Sequence, residues 1–281
     1  MRIVMDAAGD IPPALAEELN ISIIPVNIMF GTEEFLSGID IDHTAFYRKV
    51  EEVDDHNFPK TSQPTPYQFE ELYKQIIAEG EDEILTITVS EKLSGTYASA
   101  VAAARALEGQ ATFHLFDSQA GAAVQGLMVV EAARMARDGA DIDAIMKRIT
   151  EMRSNFSVYF LIDTLEYAVK GGRVSSLRGA MANLLNIKPI MTLDDGLIVE
   201  AGKVRTYKKA LDYIVNATVR DMGDRPIKLA VMHAGKPEAG QALLEKARPL
   251  LNASEELFME MAIAVAINLG PGALGLVAMP E

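Results

Sequence analysis

The sequence predicts an α/β protein made of an N-terminal domain with a mostly parallel sheet, over residues 1–155, and a smaller α+β domain, over residues 156–281. In the first part, short apolar runs alternate with helical patterns, which is typical of parallel strands joined by crossover helices. In the second part, a hairpin pattern occurs among helices. No repeat or low-complexity linker separates the parts, so the boundary depends on this change of pattern.

Four segments of the first part have the apolar character of buried strands, and five have the periodicity of helices. The predicted strands are Arg2–Asp6, Ile21–Met29, Ile84–Val89 and Thr112–Phe116. The predicted helices are Ala14–Leu19, Tyr67–Ala78, Gly95–Leu107, Gly121–Ala136 and Ile142–Met152. Open parallel sheets bind ligands beyond the carboxyl ends of their strands, so segments 6–10 and 90–96 are candidate ligand loops.

The second part mixes strands and helices in no regular alternation. Asp194-Asp195-Gly196 is typical of a hairpin turn between two strands. The other predicted strands are Ser157–Ile162, Lys228–His233, Leu257–Ile263 and Ala273–Met279. The predicted helices are Thr164–Val169, Ser175–Leu184, Lys208–Val219 and Pro237–Ala247.

Composition disfavours several classes of function. The net charge of −14 argues against binding to nucleic acid and to anionic membrane surfaces, because both require clustered Lys and Arg. The absence of Cys excludes disulfides, thiolate nucleophiles and Cys-ligated metals. No apolar run approaches the ~20 residues that a transmembrane helix needs, and the first residues show no signal peptide. The expectation is a cytoplasmic, globular protein with no stable membrane insertion.

Two hydroxyl-rich segments, Phe58–Pro66 and Val89–Ala100, each lead into a predicted helix. In the second, Ser94-Gly95-Thr96 lies where a strand gives way to a helix, and free backbone N–H groups there favour an anion. In the first, Thr61 and Ser62 lie just before a helix start. Because both segments offer neutral donors and no nucleophile–base pair, they predict a site for a small anionic group.

Each of these residues also has a structural interpretation. Ser94 and Thr96 could cap the helix that follows, but the second hydroxyl segment favours ligand contact, and Gly95 would allow close backbone approach. For Thr65, with Pro66 at the first helical position and Gln68 three residues after the threonine, capping is the favoured role.

The acidic loop after the first strand also has a structural interpretation. Asp6 is expected to accept hydrogen bonds from loop amides, and Asp10 is expected to cap the helix after it. No further carboxylate or His stands at ligand spacing, so no metal site is predicted there.

Other motifs are weak. The four His are scattered, and neither a G-x-S-x-G elbow nor a phosphate-binding P-loop occurs. The GPGALG segment, Gly270–Gly275, precedes a strand and is predicted to be a loop without a dinucleotide. In Lys170-Gly171-Gly172-Arg173, the lysine and Gly171 fit a helix C-terminus. Arg173 is left open between a structural role and contact with the anion site or a partner.

Taken in order, these segments resemble the DegV family of bacterial fatty-acid-binding proteins. The similar segments run through the whole chain: Asp6–Pro12, TSQPTP from Thr61, SGTY from Ser94, Asp117-Ser118, Leu165–Val174, Lys188–Ile190, Gly202–Arg205 and Gly270–Gly275. Two positions depart from the family pattern. Ala7 stands where a hydroxyl residue is usual, and Asn268 stands where a His or similar polar residue is usual near the bound carboxylate.

The resemblance implies a long-chain fatty acid held in a tunnel between the two domains. The hydroxyls of Thr61 and Ser94, with backbone amides, would hold the carboxylate, and Asn268 and Arg173 would lie near it. No cofactor and no catalytic residue are expected. In related proteins the acid is presented to a separate kinase subunit, so such a partner is a further expectation.

The first alternative is an enzyme acting on a small phosphorylated or carboxylated metabolite at the same site, with Asp6 or Asp117 as its acid or base. The second, weaker alternative is a regulatory or interaction module.

Overall fold

The computed structural model describes residues 1–174 and 187–281, and the chain divides into two compact units, Met1–Ser154 and Asn155–Glu281. The first unit contains a parallel sheet and the second a separate mixed sheet, so the predicted α/β and α+β architecture is confirmed. The predicted helix Ser175–Leu184 lies outside the described residues. The expected tunnel concerns the placement of one unit against the other and stays a prediction.

The first unit alternates strands and helices along most of its length. Its elements are β1 (Arg2–Asp6), α1 (Pro13–Glu18), β2 (Ser22–Ile24), β3 (Asn27–Phe30), β4 (Glu33–Leu36), α2 (His43–Glu51), β5 (Lys60–Ser62), α3 (Pro66–Ala78), β6 (Glu83–Thr88), α4 (Thr96–Ala106), β7 (Thr112–Asp117), α5 (Ala122–Arg137) and α6 (Ile142–Asn155). A four-stranded parallel sheet has the order β2-β1-β6-β7. The carboxyl ends of all four strands therefore meet at one edge.

Helices cover both faces of this parallel sheet. On one face, α3 and α4 bury an apolar cluster that includes Val4, Ile84 and Phe69. The next residues along the strands, such as Met5 and Leu85, are also fully buried and point to the other face because side chains alternate. There α5 contacts β1 and β6.

The second strand prediction of this unit is wrong. Ile21–Met29 was predicted as one strand, but the structure has β2 and β3 in different sheets, with Pro25 between them. Proline lacks a backbone N–H and interrupts a strand ladder. β3 instead pairs antiparallel with β4 and β5 in a three-stranded sheet that the sequence did not predict. Its outer strands are short, and their only apolar residues are Phe35 and Leu36, so they lack an extended apolar run.

The second unit surrounds a six-stranded mixed sheet. Its elements are β8 (Ser157–Leu161), α7 (Leu165–Gly171), β9 (Lys188–Asp194), β10 (Leu197–Val204), α8 (Tyr207–Met222), β11 (Ile227–His233), α9 (Pro237–Ala247), a 3-10 turn (Arg248–Leu250), β12 (Ala253–Glu260), α10 (Ile263–Leu269) and β13 (Leu274–Pro280). The order is β10-β9-β8-β13-β11-β12, in which only β11 and β12 pair parallel. α8 and α9 pack against one face of this sheet.

Two details of the second unit test the sequence predictions. The hairpin turn is confirmed, because Asp194 pairs with Leu197 and both intervening residues have left-handed φ, 45° at Asp195 and 76° at Gly196. The predicted strand Leu257–Ile263 is partly wrong, because β12 ends at Glu260 and Ile263 begins α10. A short helix that is apolar except for Asn268 cannot be distinguished from a buried strand by periodicity.

Candidate functional site

The carboxyl edge of the parallel sheet is organised around Asp6 at the end of β1. The carboxylate is fully buried and accepts hydrogen bonds from the Ala8 N–H at 3.0 Å, the Val89 N–H at 2.7 Å and Gln125 Nε2 at 3.1 Å. Burial raises the pKa of the Asp6 carboxyl above its ordinary value, although these hydrogen bonds oppose the shift. The predicted role of Asp6 as an acceptor of loop amides is confirmed.

The predicted capping role of Asp10 is wrong. α1 begins at Pro13, its N-cap residue is Pro12, and no side chain caps it. Asp10 is buried, and its N–H donates to the Ala122 carbonyl at 3.1 Å. This loop pairs with the start of α5, so Asp10 is held there and is not the N-cap residue of α1.

A third carboxylate at this edge, Asp117, also accepts hydrogen bonds from loop backbone. Its Oδ1 accepts the N–H of Glu91 at 3.2 Å and the N–H of Gln119 at 3.0 Å. Both carboxylates that the sequence offered as an acid or base therefore accept hydrogen bonds from the loops that follow the strands.

The first hydroxyl segment is held in the three-stranded sheet. Thr61 lies in β5 directly opposite Ile28 of β3, so its side chain shares a face with that fully buried residue. Thr61 is half-buried, whereas the side chain of Ser62, on the opposite face, is exposed.

Just after this segment, α3 begins with a complete capping box. The Thr65 hydroxyl accepts the Gln68 N–H at 3.2 Å, and the Gln68 side chain accepts the Thr65 N–H at 2.8 Å. Gln68 Nε2 also donates to the Asn27 side chain at 3.2 Å, and Asn27 donates to the Gln63 carbonyl at 3.1 Å. The predicted capping role of Thr65 is confirmed.

The second hydroxyl segment enters α4 without a side-chain cap. Gly95 is the N-cap residue, and neither Ser94 nor Thr96 makes a capping hydrogen bond to the helix. Instead, the two hydroxyls bond to each other at 2.9 Å, with Thr96 buried and Ser94 half-buried. The first helical hydrogen bond from this end is donated by the Ser99 N–H to the Gly95 carbonyl. The preceding amides have no partner within the helix, as at any helix start.

Gln63 joins the two hydroxyl segments. Its Nε2 donates to the buried Ser99 hydroxyl at 3.3 Å, in the first turns of α4. Its carboxamide also lies on Gly95, where an added Cβ would be 2.3 Å from Gln63 Oε1. The structure therefore brings the Thr61-Ser62 segment to the Ser94-Gly95-Thr96 segment. Sequence reasoning missed Gln63, although it stands inside the TSQPTP motif.

The remaining predicted site residues, Arg173 and Asn268, lie in the second unit and flank one glycine. Arg173 Nη1 donates to the Gly171 carbonyl at 2.8 Å. Asn268 Nδ2 donates to the Ala264 carbonyl at 2.8 Å, and its Oδ1 would lie 2.8 Å from a Cβ at Gly171. α7 therefore packs closely on α10. The helix cap is Gly172, with φ 73°, rather than the predicted Gly171.

The hydrogen-bond donors at the start of α4 are uncharged: hydroxyls, a carboxamide and backbone amides. Among residues 1–174 and 187–281, no group of His, Cys, Asp and Glu has the arrangement of a metal site. The loop prediction is confirmed for residues 270–273, which join α10 to β13 and include two glycines with positive φ, whereas Leu274 and Gly275 already belong to β13. None of the helices in the described part of the chain has the length and apolar character that a bilayer crossing needs.

Comparison with known proteins identifies the family to which the chain is similar. A sequence model of the DegV family, described as "Uncharacterised protein, DegV family", matches residues 1–281. A DegV domain-containing protein of Listeria monocytogenes is 32% identical over 278 residues, which cover 98% of this chain and 96% of the relative.

Two solved structures are similar over their whole length. A fatty-acid-binding DegV family protein of Thermus thermophilus is 31% identical, with a TM-score of 0.91 and 100% coverage of both chains. DegV of Bacillus subtilis, a fatty acid binding protein, is 29% identical, with a TM-score of 0.89 and coverage of 100% of this chain and 99% of that one. The chain belongs to the DegV family.

Proposed function

We propose that this protein binds a long-chain fatty acid, with the carboxylate at the start of α4. The observation that carries the proposal is a set of polar groups at the start of α4 that the helix does not use for capping. Ser94 and Thr96 make no cap, and Gln63 brings the Thr61 segment to the same place. The two solved relatives named above are fatty-acid-binding proteins, which supports this ligand class.

The head group would be held by neutral donors. Thr96 Oγ1 would donate to Ser94 Oγ, which leaves the Ser94 proton free to donate to the carboxylate. The amides of the first turn of α4 and the Thr61 hydroxyl would complete the contact. Each hydrogen bond to a charged group contributes roughly 1.5–3 kcal/mol.

The tail would dominate the affinity. A buried methylene contributes about 0.8 kcal/mol, so a palmitate-length chain offers on the order of 10 kcal/mol before ordering costs. The acyl chain would be enclosed by apolar side chains, and the head group would fix its register.

Arg173 and Asn268 would have secondary parts in this proposal. Asn268 contributes neutral hydrogen bonds only, so it can neither titrate nor carry charge where the family usually has a His or similar residue. The Arg173 guanidinium, bonded to the Gly171 carbonyl, would face the head group or a partner. If the bound acid is phosphorylated, a separate kinase subunit would bind the nucleotide, because this sequence has no P-loop.

An enzyme at the same site has less support. Its acid or base would be Asp6 or Asp117, and both carboxylates accept backbone N–H groups from the adjoining loops. Using either one in proton transfer would release a loop that forms the site.

The proposal is tested by identifying what the purified protein carries. We expect mass spectrometry under non-denaturing conditions, followed by organic extraction, to show one fatty acid per chain. Ser94→Ala protein should retain less of it, whereas Ser154→Ala, at an exposed serine in α6, should retain the wild-type amount. Several preparations without stoichiometric lipid, together with no uptake of added palmitate, would contradict the proposal.

A further inference from the structure

The contact between Gln63 and α4 directly links the first hydroxyl segment to the second. Gln63 follows β5 and is exposed overall, yet its Nε2 bonds to the buried Ser99 hydroxyl at 3.3 Å. Its backbone carbonyl accepts a hydrogen bond from Asn27 Nδ2 at 3.1 Å, and the Asn27 side chain in turn accepts one from Gln68. Gln63 is therefore held through its backbone by Asn27 and through its carboxamide by Ser99.

The contact with Gln63 explains why residue 95 is a glycine. The φ of Gly95 is −77°, which any residue adopts, so backbone conformation does not require glycine. A Cβ there would lie 2.3 Å from Gln63 Oε1 and 2.6 Å from Gln63 Nε2. Because these atoms end a flexible side chain, an alanine would displace the carboxamide rather than unfold the loop.

We propose that Gln63 is a positioning residue for the head-group site. Its carboxamide, seated on Gly95 and bonded to Ser99, forms a latch between the two segments. The latch fixes the spacing between the Thr61 and Ser94 hydroxyls, so that both reach one carboxylate. This inference rests on the proposed function, and it assigns Gly95 to the latch instead of to close approach of the ligand.

A double-mutant cycle separates these two roles of Gly95. The variants are Gln63→Ala, Gly95→Ala and the double variant, each titrated with palmitate. Either single change opens the latch, so each should weaken palmitate binding about 5-fold, the effect of one lost neutral hydrogen bond. The double variant should bind no more weakly than the singles, because the latch is already open.

The opposite result overturns the inference. If glycine serves the approach of the ligand, Gly95→Ala will weaken binding as much in the Gln63→Ala background as in wild type. Gln110→Ala, at an exposed glutamine between α4 and β7, is the matched control and should bind as wild type.

A second readout distinguishes positioning from simple stabilisation. In wild type, Thr61→Val and Ser94→Ala should be non-additive in palmitate affinity, because both hydroxyls contact one head group. In the Gln63→Ala background the two losses should become additive, since the segments no longer share a fixed spacing. Equal non-additivity in both backgrounds would overturn the positioning role.

The latch can also be tested if wild-type protein binds no fatty acid and the proposed function fails. Melting curves of the unliganded variants then decide. Each single variant should lower the melting temperature by about 2–4 °C, and the double variant should lower it no further. Additive shifts would overturn the latch on their own.

Discussion

α3 and α4 both begin in hydroxyl-rich segments, but the first turns of the two helices are satisfied in different ways. At α3, the side chains of Thr65 and Gln68 cap the helix, so the Thr65 hydroxyl is already hydrogen-bonded within the helix start. At α4 the N-cap residue is glycine, and Ser94 and Thr96 bond to each other. The comparison teaches that a hydroxyl near a helix start indicates a ligand site only when the helix does not use it.

The surroundings of the two starts differ as well. The start of α3 is capped by residues three positions apart. In contrast, Asp6 at the end of β1 holds the loop leading to α4, and Gln63, which follows β5, holds the first turns of α4. A change at Thr65 should therefore affect α3 alone, whereas changes at Asp6 and Gln63, which are distant in sequence, should affect the start of α4.

Asp6→Ala should have the largest effect. It leaves the buried N–H groups of Ala8 and Val89 without their acceptor, and each such loss costs about 1–3 kcal/mol of unfolding free energy. Because Val89 begins the loop before α4, palmitate affinity should fall too. Urea unfolding and palmitate titration measure the two effects, and an unchanged affinity would show that α4 does not depend on this anchor.

The same variant has a pH dependence with a definite sign. Burial raises the pKa of folded Asp6 above the ordinary 3.8, so its contribution to stability is fully present below pH 3.8. That contribution is lost as the pH rises through the folded pKa. The difference in unfolding free energy between wild type and Asp6→Ala should therefore shrink from acidic to neutral pH. A difference that grows over that range would mean that the hydrogen bonds outweigh burial.

Ser94→Ala is expected to have the next largest effect. It removes one charge-assisted hydrogen bond to the carboxylate, which corresponds to roughly 1.5–3 kcal/mol, or about 10- to 150-fold in palmitate affinity. The melting temperature should fall by only about 2–4 °C, because Ser94 does not cap α4 and the change removes only its hydrogen bond to the buried Thr96 hydroxyl. A large drop in melting temperature with unchanged affinity would make Ser94 a structural residue, as Thr65 is.

Thr65→Ala should have the smallest effect and the opposite pattern. Loss of the cap costs about 1 kcal/mol of unfolding free energy, while palmitate affinity should match that of wild type. Thr44→Ala, at an exposed threonine in the first turn of α2, is the matched control. If Thr65→Ala weakened binding as strongly as Ser94→Ala, the contrast between the two helix starts would be lost.

Features formed by residues close together in the sequence were predicted, whereas features formed by residues distant in the sequence were not. The α3 cap was predicted because Thr65, Pro66 and Gln68 lie within one turn, and the parallel strands were predicted because each is an apolar run. The latch was not predicted, since Gln63 and Ser99 meet only through the fold. For the same reason Asp10 was misplaced, because its loop is set by pairing with α5.

Some short strands and helices were also not predicted from the sequence, and their composition explains why. β4 and β5 are exposed or half-buried, and Phe35 and Leu36 are their only apolar residues, so they resemble loops. α10 fails in the opposite way, because nearly all of its residues are apolar and the pattern lacks a polar face.

The position of β13 has a consequence for synthesis of the chain. This strand lies between β8 and β11, so it joins the β10-β9-β8 half of the sheet to the β11-β12 half. Until residues 274–280 leave the ribosome, those two halves have no common neighbour and each exposes an apolar strand edge. The parallel sheet of the first unit is complete once residue 117 has emerged. During translation, chaperones therefore encounter a first unit whose sheet is complete, attached to a second unit whose sheet is still incomplete.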